Sequence, residues 1–212
     1  MATTMFAKPI WAFDRKDVAM RQALAAGWRR VDLWWERLQE DGNAALAAGR
    51  KREAIQAFRL AHLISRWLFD ANDPRRAAGY ANAAFAARLS GAERRAERHY
   101  AKARRLWANA PAFLETMQIR PRARSSLFHL RMEVKHWQTY QANMKTRLNR
   151  FLSETEDALE ALANREPSPH RLYARWRGEK PAVFDDTRKL LSASLLIASE
   201  GSEPADLTGL SP

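Results

Sequence analysis

Residues 42–61 read GNAALAAGRKREAIQAFRLA, and residues 84–103 read AFAARLSGAERRAERHYAKA. At an offset of 42 residues Gly49 aligns with Gly91, and a small, aromatic, small series follows in each copy. The series is Ala54, Phe58 and Ala61, then Ala96, Tyr100 and Ala103. Steps of four and three residues put each series on one helix face, where alanine lets a neighbouring helix approach and the ring fills the gap. The pattern predicts two copies of a helix, a glycine turn and a second helix.

The remainder of the chain also favours helix. Alanine, leucine, arginine and glutamate fill long stretches between only eight glycines and nine prolines, and no stretch has a convincing strand pattern. With 46% hydrophobic and 28% charged residues among 212, the chain can bury a core. We therefore predict an all-α fold built as one compact unit.

A second pattern begins after Pro121. Apolar residues alternate in steps of three and four, which predicts a long amphipathic helix over about 122–163. The seam consists of Leu127, Leu130, Val134, Trp137, Met144, Leu148, Phe151, Leu159 and Leu162. Two interpretations stay open: the chain's own helices cover this seam, or another chain does.

These patterns divide the chain into four parts. We predict an N-terminal arm over 1–14, a helical repeat region over 15–110 and a flexible tail over 200–212. Residues 111–199 hold the long helix and two C-terminal helices, near 169–177 and 181–199, in the same compact unit as the repeats.

The repeat resembles the tetratricopeptide repeat (TPR). The resemblance covers about 36–110 and is carried by Gly42, by the aligned glycines and by the small, aromatic, small series. It implies antiparallel helix pairs stacked into a right-handed solenoid. The period of 42 residues is longer than the usual 34. A generic alanine-rich helical bundle is the alternative interpretation.

The resemblance also implies a binding groove, because the first helix of each pair lines the concave surface in that family. The corresponding groove residues are Trp35, Gln39, Asn43, Asn82 and Phe85. In some family members asparagines at the places of Asn43 and Asn82 hold a peptide carboxylate, although Gln39 stands where those members carry lysine. The other interpretation is that both asparagines are satisfied polar residues of the groove wall.

Positive charge is concentrated in one region. Residues 86–152 contain fifteen basic and four acidic residues, within a chain of net charge +12. The predicted basic patch consists of Arg94, Arg95, Arg98, Lys102, Arg105, Arg122 and Arg124. Such a patch attracts nucleic acid, anionic lipid or an acidic protein surface, and a solvated arginine-rich helix is the alternative. No helix-turn-helix, RNA-recognition or zinc signature accompanies it.

Enzymatic signatures are absent from the sequence. Without cysteine there is no thiolate metal site, disulfide or cysteine nucleophile, and neither a phosphate-binding glycine loop nor a serine-nucleophile motif occurs. His129, Glu133 and His136 share one helix face, as helical metal sites require, but no second copy supplies the other ligands. A polar face explains this cluster, and we expect neither a metal nor another cofactor.

The N-terminal arm carries three aromatic residues, Phe6, Trp11 and Phe13. They are candidates for an anchor that docks into a partner, touches a membrane surface or packs on the protein's own first helix. The chain has neither an apolar run that spans a bilayer nor a secretory signal, so we expect a cytoplasmic location.

Together these observations predict a non-enzymatic adaptor, assembly factor or accessory subunit that binds a protein through the groove and the basic face. The alternative is a nucleic-acid-binding protein that uses the patch between Arg94 and Arg124. A helical metalloenzyme around Glu133 and His136 is a remote third hypothesis. Oligomeric state and the identity of the partner do not follow from the sequence.

Overall fold

The computed structural model describes residues 21, 24–25, 27–117, 134–166 and 186–198. All regular secondary structure within these ranges is helical, which confirms the all-α prediction. The helices that follow are labelled in chain order. They are α1 (Arg30–Ala47), α2 (Lys51–Leu68), α3 (Arg75–Leu89), α4 (Glu93–Trp107), α5 (Ala110–Thr116), α6 (Val134–Asn164) and α7 (Asp186–Leu195).

Two glycine turns join α1 to α2 and α3 to α4 with the same geometry. Gly49 and Gly91 have φ of 71° and 73°, in the left-handed region that glycine enters without a steric penalty. In the first turn, the N–H of Arg50 donates to the carbonyl of Ala45 at 2.8 Å. In the second, Ala92 donates to Ala87 at 2.9 Å. The aligned glycines therefore end α1 and α3 in the same way.

The aligned small and aromatic residues are also equivalent in the fold. Ala54, Phe58 and Ala61 on α2 are buried, and so are their counterparts Ala96, Tyr100 and Ala103 on α4. Helices α1 to α4 pack consecutively, each against the next. The two helix pairs thus share their turns and their buried positions, and their likeness to a tetratricopeptide repeat stays a prediction.

Helix α2 approaches its two neighbours closely at glycines. A Cβ atom added to Gly42 of α1 would lie 2.5 Å from the ring of Phe58, inside van der Waals contact. A Cβ atom on Gly79 of α3 would meet the side chain of Ser65 at still shorter range. The absence of a side chain at both positions lets α2 sit tightly between α1 and α3.

Helix α6 covers α4 and α5. The indole N–H of Trp107 donates to the carbonyl of Leu152 at 3.1 Å, and Arg88 donates to the carbonyl of Leu162 at 2.7 Å. Leu148, Leu152, Leu159 and Leu162 are buried in the main core. Of the predicted seam, Leu148, Leu159 and Leu162 are therefore covered by the chain's own helices, and Met144 and Phe151 pack partly buried against the core. Residues 122–133 and the side chains of Val134 and Trp137 lie outside what the structure describes.

Helix α7 packs on α3 and α6, and residues 196–198 continue it without helical structure. It is shorter than the helix predicted over 181–199, and the helix predicted near 169–177 falls outside the described residues. Leu190, Leu196 and Ile197 are almost completely buried. Residues 186–198, called the closing segment below, therefore complete the core beside α3.

Candidate functional site

The inner face of α1 carries a polar stripe. Asp32, Glu36, Gln39 and Asn43 follow one another in steps of four, three and four residues, so they share one side of the helix. All four are buried. Because buried polar groups need partners, this stripe determines which parts of the chain dock on α1.

At one end of the stripe Asp32 belongs to a buried ion cluster. Arg75 donates to Asp32 at 2.7 Å and to Asp73 at 2.6 Å, and its guanidinium lies 3.8 Å from the centroid of the Phe69 ring. Burial alone would lower the pKa of Arg75, but its hydrogen bonds to both carboxylates and their charges outweigh burial and raise that pKa. The arginine thus remains charged inside the core.

The carboxylate of Asp32 is stabilised in its ionised form as well. Burial alone would raise the pKa of Asp32, but hydrogen bonds from Arg29 and the charge of Arg75 lower it overall. The backbone N–H of Arg29 donates to Asp32 at 2.9 Å and its Nε donates at 3.2 Å. The cluster therefore joins the start of α1 to the start of α3 with compensated charges.

In the middle of the stripe Glu36 binds the closing segment. Arg188 donates to both carboxylate oxygens of Glu36, at 3.1 and 2.8 Å, and the hydroxyl of Ser192 donates to the same carboxylate. Arg188 and Ser192 are one helical turn apart on α7, so both reach one carboxylate. The guanidinium also lies 5.0 Å from the centroid of the Trp28 ring. This pair is a bidentate, charge-assisted contact.

The two asparagines hold the backbone of the closing segment. The amide of Asn82 donates to the carbonyl of Leu196 at 2.8 Å and accepts from the N–H of Ala198 at 2.8 Å. Asn43 also donates to the carbonyl of Leu196, at 3.3 Å. Gln39 accepts a second bond from Asn82 at 2.6 Å. In the closing segment the asparagines thus bind main-chain atoms rather than side chains.

The structure brings the predicted groove residues together but does not leave them open. Trp35, Gln39, Asn43, Asn82 and Phe85 are all buried. The closing segment supplies hydrogen-bond partners for the amides of Asn43 and Asn82, and its apolar side chains pack beside them. The expectation of an open groove is therefore corrected, because residues of the same chain occupy the place expected for a partner.

A different surface presents apolar side chains to solvent. On the outer face of α2, Leu60 is 37% exposed, Leu63 49%, Trp67 70% and Leu68 50%. Their spacing places Leu60, Leu63 and Trp67 along the side of α2 that is opposite to Phe58. Leu68 follows as the last residue of the helix. Single exposed apolar residues are common, but several on one helix make this surface a candidate interaction site.

Rows of arginine border this apolar stripe. Arg52, Arg59 and Arg66 are spaced seven residues apart on α2, and all three are exposed. On α4 the predicted patch residues Arg94, Arg95, Arg98 and Arg105 are exposed, and Lys102 is half-buried. The predicted residues Arg122 and Arg124 lie outside the described part of the chain.

Contacts between α2 and α4 bring these rows onto one surface. The rings of His62 on α2 and His99 on α4 are 5.4 Å apart. Arg59 of α2 also donates to the hydroxyl of Ser90, in the turn that leads to α4, at 3.5 Å. Helices α2 and α4 together contain ten basic and three acidic residues. We name this surface the α2–α4 face: the apolar stripe of Leu60, Leu63, Trp67 and Leu68, with the cations of both helices beside it.

The pKa values of the two histidines between these helices are lowered by burial and by the concentration of positive charge. Burial, the neighbouring His99 and the charge of Arg66 lower the pKa of His62 to about 4. Burial and the charges of Arg95, Arg98 and Arg66 lower the pKa of His99. Both rings are therefore neutral at pH 7, so the positive charge of this surface comes from its arginines and lysines.

Sequence reasoning missed the exposed stripe and the buried charges. The signal for the first was present in FRLAHLISRWL, residues 58–68, which has apolar residues on two opposite faces of one helix. The signal for the second was a polar stripe at positions where α1 should be apolar. In both cases the pattern shows an unusual face, but whether that face is exposed or buried is visible only in three dimensions.

Several predicted features fall outside the described residues. Phe6, Trp11 and Phe13 lie there, and so do His129 and Glu133, while the side chain of His136 is not described. Within the described ranges, no group of three or more histidine, aspartate or glutamate residues is placed to hold a metal ion. No helix in those ranges is long and apolar enough to cross a membrane.

Comparison of the chain with protein-family models, with curated proteins and with solved structures gives no match. Two surfaces of the described structure are therefore candidate sites. One is the α1–α3 surface, formed by Glu36, Gln39, Asn43 and Asn82 and filled by the closing segment. The other is the α2–α4 face.

Proposed function

We propose that this protein is a non-enzymatic adaptor or accessory subunit that binds an acidic partner protein on its α2–α4 face. The observation that carries the proposal is the exposed stripe around Trp67, which lies beside rows of arginine on α2 and α4. An apolar centre with a charged margin is the usual anatomy of a protein interface.

The residue types favour a protein partner. Tryptophan and arginine are enriched among the residues that dominate binding energy. The stripe from Leu60 to Leu68 is about 12 Å long at 1.5 Å per residue, which suits a helix or a short apolar segment of a partner. The arginines beside it favour acidic residues at the partner's margin and increase the rate of association.

Purification of the tagged protein from nuclease-treated native lysate provides a candidate partner, and binding of that purified partner tests the proposal. We expect Leu63→Ser with Trp67→Ser to weaken binding about 10-fold or more, because each side chain buries apolar area only in the complex. Arg59→Glu with Arg66→Glu should weaken it as well, chiefly through slower association.

A matched control distinguishes the effect of the α2–α4 face on binding from the effect of the net charge. Arg37→Glu with Arg147→Glu changes the net charge by the same amount on α1 and α6, outside the α2–α4 face. We expect this control to bind within about 2-fold of the unmodified protein. Equal weakening by the control and by the face variants would contradict the proposal.

Binding of nucleic acid is the second candidate, and the excess of cations on α2 and α4 is the observation that favours it. In that case affinity should fall steeply with salt and depend on arginines of both helices. It should respond little to Leu63→Ser, because leucine adds nothing to phosphate contacts. Retention of nucleic acid but of no protein at near-physiological salt would replace the first proposal with this one.

A further inference from the structure

The closing segment has the features of a bound peptide. We infer that residues 186–198 are a ligand held in cis by the α1–α3 surface, and that this surface accepts a peptide of the same chemistry from another chain when the segment opens. The inference concerns a different surface from the α2–α4 face and does not depend on the proposed function.

The surface binds residues 196–198 partly through their main-chain atoms. Asn82 presents one donor and one acceptor to the carbonyl of Leu196 and the N–H of Ala198, as a neighbouring strand would. Asn43 adds a second donor to the same carbonyl. Because these bonds go to the main chain, they require only that the residue in the place of Ala198 is not proline.

Sequence preference comes from the helical part of the segment. Glu36 is nearly inaccessible to solvent and accepts hydrogen bonds from both Arg188 and Ser192, which are four residues apart. The apolar side chains of Leu190, Leu196 and Ile197 fill the surrounding wall. The site therefore selects a helical turn with arginine and a hydroxyl residue four positions apart, followed by an aliphatic pair.

The segment is attached to the other helices only by its side chains and by asparagine amides. Among the described residues, no backbone-to-backbone hydrogen bond joins residues 186–198 to another element. Helices α1 to α4 contact one another consecutively without it. Covalent attachment gives the segment an effective concentration of about millimolar. A free peptide competes poorly for this reason until the cis contacts are weakened.

Hydrogen exchange of the unmodified full chain tests whether the segment opens by itself. We expect the amides of Leu190–Leu196 and Ala198 to exchange about 10-fold or more faster than those of residues 57–61 and 81–86, because they open locally. Equal protection of the two sets would overturn the inference, since the segment would then open only when the entire fold unfolds.

Binding of a peptide tests whether the vacated surface takes a ligand. In the full chain, Arg188→Glu with Leu196→Asp places a second carboxylate against Glu36 and a charge in the apolar wall, which should release the segment. A fluorescent peptide of sequence DTRKLLSASLLIA should bind this variant about 10-fold or more tightly than the unmodified chain. Adding Asn82→Ala should remove that gain, and a peptide carrying Arg188→Glu should not bind.

Circular dichroism of the variant makes each outcome decisive. A folded variant that binds the peptide, with the gain lost on Asn82→Ala, supports the inference. A folded variant that does not bind at about 100 μM would overturn it, since a usable site should reach that affinity. An unfolded variant would overturn it too, because the segment would then be inseparable from the cooperative fold.

Discussion

The side chain of Arg75 shows how this protein keeps charges in its interior. Its guanidinium is completely buried, faces two carboxylates and lies over the Phe69 ring. Arg29 reaches the same cluster from the surface, so two carboxylates are matched by two guanidinium groups. A buried charge is stable only while all its partners are present, so each member of the cluster depends on the others.

Removal of the charge of Asp32 should therefore destabilise the fold. We expect Asp32→Asn to lower the free energy of unfolding by about 3 kcal/mol or more, because Arg75 loses a buried partner. Urea denaturation at pH 7 measures the change. Asp41→Asn is the control: Asp41 is exposed and pairs with Arg37 at 3.9 Å, so its loss should cost under about 0.5 kcal/mol. Similar losses in both variants would refute this account.

His62 should make stability sensitive to acid. Its pKa is about 4 in the folded protein and about 6.5 in the unfolded chain. Below pH 6.5 His62 binds a proton in the unfolded state but not in the folded state, so the free energy of unfolding falls until about pH 4. The difference corresponds to a loss of about 3 kcal/mol at most.

Comparison of the unmodified chain with His62→Gln isolates this contribution. Urea unfolding at pH 7.0 and at pH 4.5 should show a smaller acid-induced loss in His62→Gln. Protonation of carboxylates such as Asp32, whose pKa is lowered in the folded state, also reduces stability as pH falls. This contribution is the same in both proteins and cancels in the comparison. An identical loss in the two proteins would show that His62 is not the source.

At the scale of elements, α2 is the centre of the described fold. One side packs between α1 and α3 at Gly42 and Gly79, and the opposite side carries the exposed stripe. The tight side and the open side belong to one helix of eighteen residues. The close packing of α2 therefore fixes the position of the surface that we propose binds a partner.

Gly42→Ala should loosen this packing. The added Cβ would overlap the ring of Phe58, which is fully buried, and overpacking of this kind costs about 1–3 kcal/mol. In a Phe58→Leu background the ring is absent, so Gly42→Ala should cost less there. A double-mutant cycle of unfolding free energies measures the coupling. Additive effects would indicate that the ring and the glycine do not meet.

At the scale of the whole molecule, the residues that stabilise the fold are separate from those that we propose bind a partner. Trp67 and Leu63 are exposed, whereas Trp35 and Leu38 of α1 are core residues. We expect Leu63→Ser with Trp67→Ser to change the free energy of unfolding by no more than about 0.5 kcal/mol.

The same double variant should associate with itself less at high concentration, because exposed apolar patches promote association. Sedimentation velocity over a range of concentrations measures this property beside the unfolding curve. A large loss of stability would assign the stripe to the fold instead of to binding. Stability retained together with weaker partner binding would agree with the proposed function.

The sequence by itself determined the helical character, the turns at Gly49 and Gly91, and the buried series around Phe58 and Tyr100. Each of these depends on backbone preference or on helical periodicity within a few residues. The sequence also placed a cluster of arginines on α4, and most of them are exposed.

The tertiary structure alone decided what fills the α1–α3 surface and which charges pair. Asp32 meets Arg75 over 43 residues of sequence, and Glu36 meets Arg188 over 152. Periodicity shows that a helix face is polar, but the partner of that face depends on the packing of distant helices. Asn43 and Asn82 were predicted together from the family resemblance. Their contact with the backbone of Leu196 was not predicted, because it also depends on the packing of a distant segment.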